Sequence, residues 1–319
     1  MSDWRPSSPV TAARRRAALL ERARGYFARE DVLAVDTPTL GETAGTDPNI
    51  DALAVHTISG EQFFLHTSPE FCMKRLLADG YPDIYSICRV YRDSESGRQH
   101  LAEFTMIEWY RLGFGLADII HDTTRLIADC LDKPSLLEST DTYNYRDAFL
   151  QFANIDVLDA TDAELAACTN ADSELRTVMG DDRDGWLDLV LATVIAPQFA
   201  ADGLTVLQHY PASMAALARR CPLDARFADR FEVFMGQREL ANGYVELTDA
   251  DEQRQRFARE TEKRRQAGRD TGPIDECLLQ ALDSGLPDCA GVAVGVERLQ
   301  MTLDRTDDIG DVVTFTNRR

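Results

Sequence analysis

Positive charge is scarce in this 319-residue chain: 34 Lys and Arg stand against 54 Asp and Glu, for a net charge of −20. Such a surface repels phosphate backbones, and non-specific nucleic-acid affinity is largely electrostatic, so the charge argues against a tRNA partner while leaving a local basic patch as a route to RNA. The acidity also has a plainer reading, solubility or a salty cytoplasm. Cysteine pairing is missing too. The seven thiols (Cys72, Cys88, Cys130, Cys168, Cys221, Cys277 and Cys289) are odd in number and form no Cys-x-x-Cys pair, which argues against a disulfide framework and a zinc ribbon. The five His lack metal-ligand spacing. Reduced, mostly buried thiols in a cytoplasm are expected. No apolar run reaches the ~18 residues of a membrane helix, and the N-terminus lacks the apolar stretch of a signal peptide, so no membrane partner is expected. Arg14-Arg15-Arg16 belongs instead to a charged helical pattern with Glu21 and Glu30.

What is present is an ordinary apolar fraction of 44%, enough for a sizeable core. At roughly 150 residues per domain the length allows two domains, or one large sheet-based catalytic domain. Residues 1–10 read as a lead-in. A helix follows from Thr11 to about Glu30, with Leu19, Leu20, Ala23, Tyr26 and Phe27 at helical spacing. Residues 32–38 are extended and end at Pro38, 41–51 are loop, and 62–66 form a short strand. Pro69 to Ala78 is a helix with Ser68 as its N-cap. Ile84–Arg92 and Ala102–Leu112 make a long-looped antiparallel hairpin. A helix spans 116–132, and about 139–230 is mostly helical. Phe231–Met235 and Glu239–Leu247 pair around a turn at Gly236. Residues 249–267 form a charged, solvated helix. Gly291–Val296 is a small-residue strand leading into a helix. Antiparallel strand pairs with helices outside predict an α+β fold.

Four segments carry chemistry. Phe104, Met106, Glu108 and Tyr110 share one face of the second hairpin strand. Glu108 lies in an apolar run, where a carboxylate is costly unless it meets a cation or strong donors. It is either half of an ion pair, with Arg111 or a neighbouring strand, or the seat of a ligand ammonium beside Tyr110. Arg92, Glu95, Arg98 and His100 hang over the sheet in a loop suited to a triphosphate, since Arg offers planar multi-donor contacts to phosphate oxygens. In Glu239–Glu246, alternation puts Asn242, Tyr244 and Glu246 on one face. A bulge at Gly243 or just before it brings Glu239 round to join them, so that Glu239 and Glu246 hold Mg²⁺. The alternative is a surface strand with scattered acids. The glycines of Gly291-Val292-Ala293-Val294-Gly295-Val296-Glu297-Arg298 allow close approach under a nucleotide, with Arg298 above.

In order, these segments resemble the three signature motifs of class II aminoacyl-tRNA synthetases: Pro38 for the first, Arg92 through Phe104 to Tyr110 for the second, Gly295 to Arg298 for the third. Ser68-Pro69-Glu70, Met73 to Leu77, Glu103 to Tyr110 and Glu239-Leu240-Ala241-Asn242-Gly243 resemble the lysyl branch, and within it the truncated paralogues that ligate β-lysine to elongation factor P. The resemblance runs from about residue 11 to the end. It implies a class II synthetase-like antiparallel sheet flanked by helices, forming one catalytic domain over 11–319. ATP is the implied co-substrate, with Mg²⁺. Arg92 and Arg298 would be catalytic, on the ATP phosphates. Glu95, His100, Phe104 (stacked on adenine), Glu239, Leu240 and Gly295 would complete the ATP site. Ser68, Pro69, Glu70, Glu108, Tyr110, Asn242 and Glu246 would surround the amino acid, and Pro38 implies a homodimer. Two features favour the paralogues over true lysyl-tRNA synthetases, and so elongation factor P over tRNA: the chain starts almost at the catalytic core, and Ala293 replaces a usual glycine. One methyl there is worth ~1–3 kcal/mol, enough to shift preference between α- and β-lysine. The motif 2 loop departs from the pattern, with Arg92-Asp93-Ser94 and Glu95 one place late, and with Leu101 where Asn is usual. Three functions remain open: protein-lysine ligation, a compact lysyl-tRNA synthetase-like ligase, and a non-catalytic regulatory paralogue. For the first, helix 253–269 is a candidate basic patch for the acceptor.

Overall fold

The computed structural model describes residues 4–93 and 95–316; Ser94 lies outside them. The strands among the described residues are β1 (Leu33–Ala34), β2 (Leu40–Gly41), β3 (Ala54–His56), β4 (Gln62–Leu65), β5 (Ile84–Tyr91), β6 (Glu103–Leu112), β7 (Thr140–Asn144), β8 (Leu204–Gln208), β9 (Arg230–Met235), β10 (Arg238–Val245) and β11 (Cys289–Gly295). Eight form one sheet in the order β1-β5-β6-β11-β10-β9-β8-β7, and β2-β4-β3 form a small second sheet. From β5 to β8 every neighbour is antiparallel. The fold is α+β, as expected, but the large sheet is mixed: β1 runs parallel to β5, and β7 parallel to β8. Parallel pairs need crossovers, and the helices between β7 and β8 supply one.

The helices are α1 (Val10–Arg29), α2 (Glu70–Ala78), α3 (Leu116–Leu131), α4 (Tyr145–Ala153), α5 (Asp162–Cys168), α6 (Ser173–Met179), α7 (Arg183–Val190), α8 (Ala250–Gln266), α9 (Glu276–Gly285) and α10 (Val296–Asp304). Leu19, Ala23, Tyr26 and Phe27 of α1 join Ile119, Leu126, Ile127 and Leu131 of α3 in the main core. That core covers one sheet face through Ile107, Trp109, Val233, Ala241, Val292 and Val294. Apolar burial on this face pins the strand register, because a one-residue slip would turn every inward side chain outward. The opposite face is left for the site. A second core gathers Tyr145, Phe149, Leu165, Trp186 and Phe199 around α4, α5 and α7.

Two expectations change here. Residues 139–230 are not simply helical, since β7 and β8 extend the sheet and 209–229 is largely irregular. The β7 sequence, Thr-Asp-Thr-Tyr-Asn, has no apolar alternation to reveal it. Helix α8 is charged but not merely solvated. Phe257 is buried, the Arg256 guanidinium donates to the Ala216 and Ala218 carbonyls, and Arg264 donates to those of Asp47 and Ile50. Arg254, Arg256, Arg264, Arg265 and Arg269 all pair with carboxylates, so most of this candidate basic patch is already neutralised.

Candidate active site

Register alone lays out the floor of the site. Ser86, Glu108, Ala293, Asn242 and Glu232 stand opposite one another across β5, β6, β11, β10 and β9. The next row is Ile84, Tyr110, Gly291, Tyr244 and Arg230. Opposed residues share a sheet face, and neighbouring strands lie about 4.8 Å apart, so Glu108 and Glu232 mark two ends of a floor about 14 Å long. On β11 the small residues Gly291, Ala293 and Gly295 alternate onto this face.

At the β6 end is a pocket of carboxylates. Glu108 is 3% exposed, accepts from the Ser68 hydroxyl at 2.7 Å and from the Tyr110 hydroxyl at 2.8 Å. Arg111 is not its partner; it lies among Glu30, Asp83 and Asp122. Glu70, first residue of α2, accepts from Tyr244 at 2.6 Å and from Lys74 at 2.6 Å. The Lys74 ammonium also lies 2.5 Å from Glu246 Oε2. Burial, then the Glu70 charge, pushes the Glu108 carboxyl up to about 7. Burial also raises Glu246, to about 8, against the pull of Lys74. A Cβ on Gly291 would meet the Tyr110 ring and come within 2.6 Å of Glu246 Oε1, so only glycine leaves this space open. Clustered buried carboxyls of this kind favour a neighbouring cation, as Lys74 shows.

Toward β9 the floor opens into a cavity of about 940 Å³ lined by Arg98, Arg230, Glu232, Glu239 and Arg298 among others. The β9–β10 turn is Gly236-Gln237, with Gly236 at φ +55, a conformation that favours glycine. The register then shifts between Glu239 and Ala241. This bulge buries both Leu240 and Ala241 and returns Glu239 to the face of Asn242 and Tyr244. Arg298 Nη1 meets Glu239 at 3.0 Å, and its Nη2 lies 2.8 Å from His100 Nε2. Burial and then the Arg298 charge lower the His100 pKa, so the ring is the neutral acceptor. Gly295 caps α10 beneath the Arg298 stem. Arg92 meets Glu95 at 3.4 Å and stands 5.2 Å from the Phe104 ring.

The structure therefore gathers Ser68, Glu70, Glu108, Tyr110 and Glu246 at one end, with Pro69 as the turn into α2. It gathers Glu239, His100, Gly295 and Arg298 at the other, and Arg92, Glu95 and Phe104 together at the hairpin loop. Asn242 lies between and accepts from Arg230 at 3.2 Å. Three readings need correction. Glu239 and Glu246 do not share a cation: seven residues of strand, at about 3.3 Å each, separate them, and Glu246 is committed to Lys74. The acid facing Glu239 is Glu232, buried beside it and raised to about 7 by burial and then by the Glu239 charge. The Leu240 side chain belongs to the core, leaving only its backbone for a nucleotide. Ser68 is not the N-cap; Pro69 is, although the Ser68 hydroxyl still accepts from the Glu70 amide at 3.0 Å.

Sequence reasoning passed over Glu232, Arg230 and Lys74. Glu232 sits in the apolar word Phe231-Glu232-Val233-Phe234, the same signal that singled out Glu108. His209, Cys221 and Asp229, 12 and 8 residues apart, do meet within 4.8 Å. Arg219 already occupies Asp229 at 2.8 Å, so this cluster has its cation.

An antiparallel core whose motif strands floor an ammonium pocket and an arginine-lined cavity is the architecture of an amino-acid-activating synthetase. The family model for class II tRNA synthetases (D, K and N) matches residues 2–319, and the chain belongs to that family. It is 40% identical over 323 residues to the elongation factor P–(R)-β-lysine ligase of Edwardsiella ictaluri, covering 99% of this chain and 98% of that one. The protein of the same name from Sodalis glossinidius is 39% identical over 328 residues, with 100% of both chains covered. That of Yersinia pestis is 39% identical over 325 residues, covering 99% of this chain and 98% of that one.

Proposed function

We propose that this chain activates (R)-β-lysine with ATP and transfers it to a lysine ε-amine of elongation factor P in the cytoplasm, with residues 11–319 as one catalytic domain. The observation that carries this is the continuous floor joining the Glu70–Glu108–Glu246 pocket, across Ala293 and Asn242, to the cavity under Arg298. A diamino acid with its ammonium groups in the pocket directs its carboxylate toward the cavity. That carboxylate attacks the ATP α-phosphorus, forming the acyl-adenylate and releasing pyrophosphate. The acceptor amine then attacks the activated carbonyl, AMP leaves, and the amine loses a proton. Catalysis is positioning and charge neutralisation. Arg92 and Arg298 take phosphate oxygens, and Phe104 stacks on adenine. Glu95 and His100 hold the two arginines.

The residues fit a bound Mg²⁺. Glu232 and Glu239 are like charges facing one cavity, relieved only in part by Arg230 at 2.7 Å and Arg298 at 3.0 Å. A hard cation on their oxygens would neutralise phosphate charge. Ala293 stands opposite Glu108 and Asn242, so its methyl adds bulk to the floor between the pocket and the cavity, the proposed basis for choosing between the lysine isomers.

Purified elongation factor P incubated with the protein, ATP, Mg²⁺ and (R)-β-lysine should gain one aminoacyl mass, less with α-lysine, while total tRNA stays uncharged. Robust tRNA charging with an unmodified factor would overturn this reading. A two-fold homodimer is part of the proposal. The short edge strand β1 leaves Leu33 exposed, and Leu40 beyond Pro38 is also exposed, an apolar edge suited to pairing with a second copy. Light scattering at micromolar concentration should return twice the 35.6 kDa chain mass; a monomer mass would exclude the dimer. Among the described residues no helix is long and apolar enough to cross a membrane.

A further inference from the structure

Lysine is rare in this chain, with Lys74, Lys133 and Lys263 alone among 34 basic residues. Other buried cations, Arg111, Arg256 and Arg264, are arginines. Lys74 is also the one lysine among the buried charged groups described, at 1% exposure. Its ammonium touches Glu70 at 2.6 Å and Glu246 at 2.5 Å and lies 5.5 Å from the Tyr244 ring centre. A guanidinium fork needs room and planar partners, whereas a compact ammonium fits between two carboxylates. Glu246 Oε1 is buried without a hydrogen-bond partner among the described residues and faces the space kept open by Gly291. That oxygen has an acceptor to spare.

We propose that Lys74 is a specificity-determining positioning residue whose ammonium balances one of the three pocket carboxylates, leaving two to be matched by the two ammonium groups of a diamino acid. The proposal rests on the reading above that the pocket takes a diamino acid. Three carboxylates without Lys74 would hold protons and present hydroxyls in place of charge. The groups around the ammonium are Glu70 of α2, Tyr244 of β10, Glu246 just beyond it, Glu108 and Tyr110 of β6, and the Cys289 thiol of β11. Burial pulls the Lys74 pKa down, and Glu246 and Glu70 more than reverse this, so the net shift is upward and Lys74 is the pocket's permanent cation.

The test is ATP–pyrophosphate exchange by the full chain, with (R)-β-lysine varied between about pH 6 and 9, the range spanned by the raised carboxyls. If the wild-type chain shows no exchange with any lysine isomer, the functional reading itself falls. With an active wild type, Lys74→Met should raise KM for the amino acid at least about tenfold, with KM for ATP within about twofold. KM falls as the carboxylates ionise, so the midpoint of that fall should move to higher pH in Lys74→Met. In Glu246→Gln, with one repelling charge removed, it should move to lower pH. Lys74→Ala should recover with n-propylammonium and not with n-propanol. Should Lys74→Met fail to fold, the alkylammonium rescue and the Glu246→Gln midpoint still decide. Unchanged midpoints, or equal rescue by the alcohol, would show that Lys74 only fills space and overturn the proposal.

Discussion

Arg298→Ala should lower ATP–pyrophosphate exchange at least ~10³-fold, equivalent to about 4 kcal/mol of transition-state stabilisation. The guanidinium is held from two sides, by Glu239 at 3.0 Å and by neutral His100 at 2.8 Å, and it reaches into the cavity from the first turn of α10. Its position is set before any nucleotide arrives, so its charge acts without reorganisation. Stability should change little. The side chain is 29% exposed and Glu239 37% exposed, so truncation strands no buried charge. Exchange kinetics beside a thermal melt check both halves. Full exchange in a folded variant would remove Arg298 from the site.

Glu232→Gln should raise the Mg²⁺ concentration for half-maximal exchange at least about tenfold and lower the saturated rate about 10²-fold, because one of two hard anionic ligands is lost. Gln keeps an oxygen to accept from Arg230, which donates to Glu232 at 2.7 Å, so the fold should hold. Glu246→Gln should leave the Mg²⁺ requirement unchanged and alter only the amino-acid response. A Mg²⁺ titration of both variants separates the assignments. A shifted requirement in Glu246→Gln with none in Glu232→Gln would restore the pair expected from the strand pattern.

That pair shows how far a one-dimensional reading reaches. The bulge that turns Glu239 toward Asn242 was foreseeable, because two carboxylates and an amide crowd one strand. Which acid faces Glu239 was not foreseeable from β10 alone. Residues along one strand are spread out at about 3.3 Å per residue, while residues on neighbouring strands sit about 4.8 Å apart. Glu232 is seven residues before Glu239, yet the tight turn at Gly236 folds it alongside. Glu246 is seven residues after, and no turn brings it back.

The chain's own order of residues determined the hairpin of β5 and β6, the antiparallel centre of the sheet, and the small-residue strand running into Arg298. Each rests on local pattern: period-two burial, turn glycines, and a carboxylate in an apolar run. Tertiary structure alone decided the partners. It placed Lys74 between Glu70 and Glu246, sent Arg111 away from Glu108, put β7 on the sheet edge and committed most arginines of α8 to carboxylates. A buried charge is settled by what lies across the sheet or on the next helix, and those neighbours are distant in sequence. Pattern can therefore mark a residue as costly to bury, while only the packed fold shows what offsets the cost.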